Sequence, residues 1–382
     1  MRAVSSLIAS VFILMAGLGL ANYIVPLRAL GEGWTANDIA LIGAVYSAGY
    51  TLASFVTPKF IRLTGHIRVF AANIAMMVVS VLLCALSTNL WGWMGFRGLF
   101  GFAIASSYMI IESWISEKSE NQYRGFMFSV YMVTAMTGSI AGPYIAVFGD
   151  VMTTALFIVS AIILACAVFP IALTAASTPT LPTEVGFDLR SLWTRSPVAF
   201  VGTFLAGIIS AAWLNFAAVF AKLSGLTETG GANLIAAITI GSIVAQFPLG
   251  RISDYVDRRM VMVFGCCLGI VASVWMFTLD ASHEYQLYAS ACLAGMVIFP
   301  IYSLNVAHAN DMAAPGEYVR ISSGITVLYG VGVIVGPLVG GQAIALAGPS
   351  GLPVVLGIFF AIYAAYASYR IWRRPSGRGA TA

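Results

Sequence analysis

The sequence predicts an all-α membrane protein, with twelve transmembrane helices in two pseudo-symmetric six-helix bundles. Three observations carry that prediction. Of 382 residues, 60% are hydrophobic and only 9% charged, with a mean hydropathy of +0.91; a soluble surface needs about 25% charged residues. Apolar stretches recur at the length that crosses a hydrocarbon core, roughly 20 residues as helix. The chain also repeats itself. Gly138, Gly142 and Pro143 form a G-x-x-x-G-P run, and Gly332, Gly336 and Pro337 form it again, with Gly142 and Gly336 194 residues apart. Asn22 and Asn215 are 193 apart, Arg28 and Lys222 194, and Pro58 and Gly250 192.

Taken in order, the expected spans are 5–29, 38–57, 69–87, 91–116, 125–148 and 152–173, then 197–222, 230–249, 260–279, 284–308, 321–345 and 350–372. The first is too long for a cleavable signal peptide and lacks a small-residue cleavage site. The domains expected are an N-terminal bundle over 1–173, a Thr/Pro-rich cytoplasmic linker over 174–196, a C-terminal bundle over 197–374 and a short tail over 375–382.

Basic residues set the orientation. Of the 19 Lys and Arg, all but Arg28, Arg97 and Lys222 fall on one set of loops or helix ends, which places both termini in the cytoplasm. The expected location is the cell (inner) membrane. The net charge of +4 then reflects topology, and no nucleic-acid partner is expected. The five cysteines and three histidines lack metal-ligand spacing. Neither a phosphate-binding loop nor a hydrolase set is present. No metal, cofactor or enzymatic activity is therefore expected.

Two loops carry motif-like residues. Leu249-Gly-Arg-Ile-Ser-Asp254-Tyr-Val-Asp-Arg258-Arg259 joins the eighth and ninth spans, and Thr57 to Arg68 is its first-half counterpart, with Pro58 and Arg62 where a glycine and an acid would be matched. Glu117 to Arg124 follows the fourth span, which also contains Arg97 in Phe-Arg-Gly-Leu-Phe-Gly. With the two G-x-x-x-G-P runs, these segments resemble the major facilitator superfamily across nearly the whole chain. Tyr108-Met-Ile-Ile-Glu112-Ser-Trp and Gln246-Phe-Pro-Leu-Gly-Arg251-Ile-Ser-Asp254 are similar to its YcaD-like subgroup, which includes riboflavin transporters.

The resemblance implies alternating access around a cavity lined by helices 1, 4, 7 and 10. On those helices the candidate substrate-binding residues are Asn22, Tyr23, Arg97, Tyr108, Glu112, Trp213, Asn215, Tyr302 and Asn305. Tyr46, Tyr50, Tyr131, Gln246 and Tyr329 are expected to contribute from neighbouring helices. Glu117, Arg124, Asp254 and Arg258, with Glu112, are the candidate coupling or gate residues. Gly138, Gly142, Pro143, Gly332, Gly336 and Pro337 are expected to pack helices closely and bend them.

Glu112 has two readings. A carboxylate inside a span is costly unless a proton or a cation neutralises it. It is either a proton-coupling or substrate group, or a partner for Arg62, Arg124 or a helix end in the cytoplasmic gate. Arg97 lies fifteen residues earlier, about 22 Å along the helix, and cannot pair with it directly. Arg97 contacts substrate or a coupling group, or else bonds backbone carbonyls where helices meet.

The functional expectation is a secondary active transporter for a small, neutral or weakly charged organic solute. Few intramembrane charges are available for a highly charged substrate. With the subgroup likeness, riboflavin or flavin uptake is the specific expectation. Proton-coupled efflux of drugs or metabolites is the alternative, and a non-transporting receptor in a transporter fold is the third reading. The partners expected are the solute, the lipid bilayer and protons as candidate coupling ion, with the chain working as a monomer.

Overall fold

In the computed structural model, which describes residues 2–118, 124–172, 189–313 and 318–373, every regular element among the described residues is a helix. The first half holds α1 (Arg2–Gly31), α2 (Ala36–Thr64), α3 (His66–Leu86), α4 (Leu90–Lys118), α5 (Arg124–Ala146), α6 (Ala155–Cys166) and α7 (Phe169–Ala172). The second holds α8 (Leu189–Arg195), α9 (Pro197–Leu223), α10 (Glu228–Tyr255), α11 (Arg258–Phe277), α12 (Glu284–Ile298), α13 (Pro300–Asp311), α14 (Tyr318–Ala347) and α15 (Gly351–Arg373). The twelve expected spans are all helical. The sixth is divided between α6 and α7 and the tenth between α12 and α13. Among the described residues ten stretches are long and apolar enough to cross a membrane, the last of them, Ile321–Arg373, holding both α14 and α15. The one expected span left out, the fifth, is α5, which is diluted by glycine, serine and threonine.

The chain divides into two compact units, Met1–Glu184 and Val185–Ala382. Within unit 1, α1 packs on α5, α2 on α4, and α3 on α6; within unit 2, α9 packs on α14, α10 on α12, and α11 on α15. The same pairing in both units is the structural form of the repeat. It reaches the caps. Thr35 Oγ1 accepts from the amide of Asp38 at 3.2 Å to start α2, and Thr227 Oγ1 accepts from the amide of Gly230 at 3.0 Å to start α10; such caps satisfy donors that the first turn leaves over. Two residues before each cap stands a glycine in the left-handed region, Gly33 at φ 81° and Gly225 at φ 85°, where a side chain would be strained.

Close backbone approach fixes the pairs. A Cβ on Gly142 would collide with the backbone of Gly19 and Leu20 on α1, and a Cβ on Gly138 would stand 2.7 Å from the carbonyl oxygen of Phe12. In unit 2, a Cβ on Gly332 would meet the carbonyl of Phe204 on α9, and one on Gly336 the carbonyl oxygen of Ile208 at 2.6 Å. Pro143 and Pro337 lie inside α5 and α14.

Two expectations need correction. Thr57 to Arg68 was expected as a loop, but α2 runs through Pro58 to Thr64 and breaks only at Gly65. Likewise α10 continues through Pro248 to Tyr255, so Gly250 lies inside a helix with open space where its Cβ would be, and it makes no close approach. Prolines are tolerated in membrane helices where neighbours satisfy the freed backbone groups. Within the expected linker, Leu189–Arg195 is helical, and Leu192 is buried against Ala199, Ala309, Ile321 and Ile325. Residues 174–188 of that linker and the tail 375–382 lie outside the described residues.

Candidate functional site

In unit 1 the site is built on one face of α4. Arg97, Tyr108 and Glu112 are eleven and then four residues apart, spacings that return to the same side of a helix with 3.6 residues per turn. Glycines set how α2 meets this helix. A Cβ on Gly49 would strike the carbonyl of Gly98, and a Cβ on Gly101 would strike the carbonyl of Tyr46. Because the two helices touch there, Tyr46 lies over Arg97, its ring centroid 4.6 Å from the guanidinium carbon, with Phe100 at 4.8 Å. Asn22 on α1 completes the group: Arg97 Nη2 donates to its Oδ1 at 2.7 Å.

Further along α4, the Tyr108 ring meets the edge of Tyr50 at 6.4 Å, and its hydroxyl donates to Met15 Sδ at 3.3 Å. Glu112 stands on the surface of the chain, and Tyr131 of α5, itself buried, donates its hydroxyl to Oε1 at 3.4 Å. Arg97 and Glu112 therefore have separate partners, as their spacing requires. Tyr23 is buried. The side chains of Glu117 and Arg124 lie outside the described residues.

Unit 2 is organised differently. Tyr302 of α13 and Tyr329 of α14 form a tilted ring pair with centroids 4.6 Å apart, and the hydroxyls of Tyr329 and Ser210 on α9 share a hydrogen bond at 2.9 Å. Gln246 Nε2 donates to Ser303 Oγ at 3.0 Å, linking α10 to α13. Asn215 matches Asn22 in the repeat but bonds within its own helix, to the Ala211 carbonyl at 2.9 Å. The reason lies across the bundle, since the positions that match Arg97, Ser290 and Ala291, carry no guanidinium to engage it.

Two of the expected ligand residues are fully packed in this structure. Trp213 is 1% exposed and offers no free ring face. Asn305 is 0% exposed, its Nδ2 donating to the Ile301 carbonyl at 2.9 Å and its Oδ1 accepting from the Tyr363 hydroxyl at 2.5 Å. It holds α13 to α15. Sequence reasoning passed over Tyr363, whose position near the middle of α15 gave no signal beyond an aromatic among apolar neighbours.

At the α10–α11 turn, Asp257 caps α11 by accepting from the Arg259 amide at 2.9 Å. Arg258 joins three groups. Its Nε meets Asp311 Oδ2 at 2.8 Å, Nη2 meets Asp254 Oδ1 at 3.0 Å, and Nη1 donates to Ser253 Oγ at 2.6 Å. Asp254 and Arg258 were expected here from the resemblance of the 249–259 segment. Asp311, on the last residue of α13, was not singled out; the available signal was an acid closing a span whose partner helix begins with two arginines.

The family model of the Major Facilitator Superfamily matches residues 7–239 and again 199–382. Relatives include an uncharacterized MFS-type transporter of Yersinia pestis (strain Pestoides F), 20% identical and covering 88% of this chain and 87% of its own. YcaD of Escherichia fergusonii, described in the same words, is also 20% identical with the same coverage. YfkF of Bacillus subtilis (strain 168) is 24% identical over 80% of this chain and 81% of its own. Among solved structures, the nucleoside transporter NupG superposes with a TM-score of 0.76 at 15% identity, covering 98% of this chain and 99% of its own. A bacterial homolog of the human lysosomal transporter Spinster gives 0.76 at 12%, covering 98% of both.

Proposed function

The chain belongs to the Major Facilitator Superfamily, and we propose that it is a secondary active transporter moving a small, neutral or weakly charged organic solute by alternating access. The observation that carries this reading is the pairing of aromatic rings with single polar groups in each unit. Tyr302, Tyr329 and Ser210 supply a ring surface and a hydroxyl in unit 2, and in unit 1 Tyr50 and Tyr108 form a ring pair while Tyr131 bonds Glu112, one turn along α4 from Tyr108. Rings of this kind stack on a flat heterocycle, and scattered hydroxyls and amides orient it. Charged side chains within the spans are few, which disfavours a highly charged solute.

Riboflavin is the specific solute proposed, for uptake, on the likeness of Tyr108 to Trp114 and Gln246 to Asp254 to the YcaD-like subgroup. A nucleoside is the natural second probe, because a nucleoside transporter shares the fold. The membrane proposed is the cell (inner) membrane, with both termini cytoplasmic and the monomer as the working unit. Protons are the proposed coupling ion, with Glu112 as the group that carries them. Its open position and its Tyr131 partner support that role. The same carboxylate supports proton-coupled efflux as the second reading.

The test is uptake of labelled riboflavin, and separately of labelled uridine, into proteoliposomes with and without an imposed proton gradient. Saturable flux above empty liposomes establishes a carrier for that solute. Gradient dependence with accumulation inside fixes uptake, and gradient-driven expulsion fixes efflux. Absence of riboflavin flux from folded protein removes the flavin assignment.

A further inference from the structure

We propose that the end of α15 holds the headgroup of an anionic phospholipid, with Arg373 as the residue that takes its phosphate. The leaflet is the one on the side of the α10–α11 turn, which the proposed orientation makes cytoplasmic. The inference goes beyond the transporter reading and does not depend on which solute is carried.

The second half of α15 has one outward face. Ile362, Ala365, Tyr369 and Trp372 are all exposed, at steps of three, four and three residues that keep them on one side of a helix. Tyr369 is 45% exposed and Trp372 78%. An apolar stripe that closes on a tyrosine and a tryptophan has the order of a lipid-facing helix meeting the headgroup layer. Arg373 stands at the closing end. Its Nε donates to the Tyr369 hydroxyl at 2.9 Å, and its guanidinium carbon lies 5.6 Å from the Tyr369 ring centroid.

The neighbouring cations are satisfied by the protein itself. Arg258 pairs with Asp254 and Asp311, and Arg259 with Asp257 at 2.7 Å. Arg259 also donates from Nη1 to the Arg370 carbonyl at 3.3 Å, which sets the end of α15 beside the start of α11. Arg370 and Arg373 differ from these two, since among the described residues neither meets a carboxylate. With Nε held by a tyrosine, Arg373 keeps its two terminal nitrogens for an outside acceptor. A guanidinium fork of this kind matches two oxygens of a phosphate. Arg370, one turn back, adds a second positive charge.

The other end of unit 2 is unlike this one. Its one Lys or Arg among the described residues is Lys222, paired with Glu228 at 2.8 Å. The site therefore belongs to a single leaflet. Its occupant is a lipid because the exposed stripe offers acyl chains a surface leading up to the guanidinium, and a tethered phosphate arrives there at high local concentration. The lipid is anionic because a zwitterionic headgroup brings its own cation beside the phosphate and gains little from arginine.

The test uses the purified full chain in neutral detergent and three probes: phosphatidylglycerol, phosphatidylcholine and soluble glycerol phosphate. Lipid retained on the protein in native mass spectrometry and the thermal midpoint are read for each. Phosphatidylglycerol is expected to bind and to raise the midpoint by mass action. Phosphatidylcholine and glycerol phosphate should do so at least fivefold more weakly, the scale of about one basic residue at a lipid surface. Arg373→Gln should weaken phosphatidylglycerol binding by about fivefold or more, and Arg373→Lys, which keeps the charge without the fork, by less. Arg190→Gln removes an exposed arginine on α8 and should leave binding unchanged. The proposal is overturned if phosphatidylcholine binds as tightly as phosphatidylglycerol, or if Arg190→Gln weakens binding as much as Arg373→Gln. It is overturned equally if glycerol phosphate binds as well as the lipid, which would make this a site for a soluble anion. Flux plays no part in the readout, so failure here leaves the transporter reading standing, and protein that moves no solute leaves the lipid site standing.

Discussion

Tyr131 donates its hydroxyl to Oε1 of Glu112 at 3.4 Å, tying α5 to α4 at a carboxylate set well inside a span. The contact is long for an O–H···O bond and leaves the second carboxylate oxygen available. If Glu112 carries the coupling proton, removing its ability to ionise must uncouple transport from the gradient while the hydrogen bond survives. Glu112→Gln should therefore abolish gradient-driven accumulation and flatten the pH dependence of flux, with passive exchange retained. Tyr131→Phe should preserve coupling and reduce the rate by about fivefold, the scale of one hydrogen bond of roughly 1 kcal/mol. Flux in proteoliposomes across the neutral pH range decides it. Unaltered pH dependence in Glu112→Gln leaves the carboxylate a packing or gate group.

Backbone contact between α1 and α5 at Gly142 makes a different kind of prediction. An added methyl there meets the backbone of Gly19 and Leu20, which cannot rotate aside, so Gly142→Ala should destabilise the protein by about 1–3 kcal/mol, as overpacking does. Gly250 sits in α10 with open space around it, and alanine is the better helix former by roughly 1 kcal/mol, so Gly250→Ala should be neutral or stabilising. Thermal unfolding in detergent separates the two. Equal losses would mean that the close approach of α1 and α5 is not what limits stability.

Asn305 was expected to face a solute and is instead sealed between α13 and α15 by Tyr363. Tyr363→Phe strips the donor from a buried amide oxygen, a loss of about 1–3 kcal/mol. The expected signature is a lowered unfolding midpoint with the apparent affinity for solute unchanged. A weakened affinity with normal stability would return Asn305 to the binding site.

These cases show what the sequence could and could not disclose. Spans, repeat and close-packing glycines are local or periodic properties, and a 194-residue offset between Gly142 and Gly336 is visible without coordinates. Helix ends were misjudged where Pro58 and Pro248 stood, because a proline reads as a breaker until the neighbours that satisfy the freed carbonyls are known. The break between Ile298 and Pro300 was missed for the opposite reason, since the apolar run continues across it. Which face of α9 or α13 a residue takes depends on partners distant in sequence. Trp213 and Asn305 were therefore legible as types, while their burial was not.

Arg258 supplies the last prediction. It bridges Asp311 and Asp254, but the two carboxylates differ in setting: Asp254 is 62% exposed and Asp311 24%. Solvent screens the first pair, and exposed i,i+4 pairs contribute only about 0.3–0.5 kcal/mol. The second pair spans two helices, joining the start of α11 to the end of α13, so its loss frees one element from another. Asp311→Asn should therefore change transport rate and the salt sensitivity of stability more than Asp254→Asn, although only Asp254 lies in the motif-like segment. Measuring both variants at low and high ionic strength tests the ranking. A larger effect at Asp254 would place the function of this turn at the end of α10 and not in the bridge to α13.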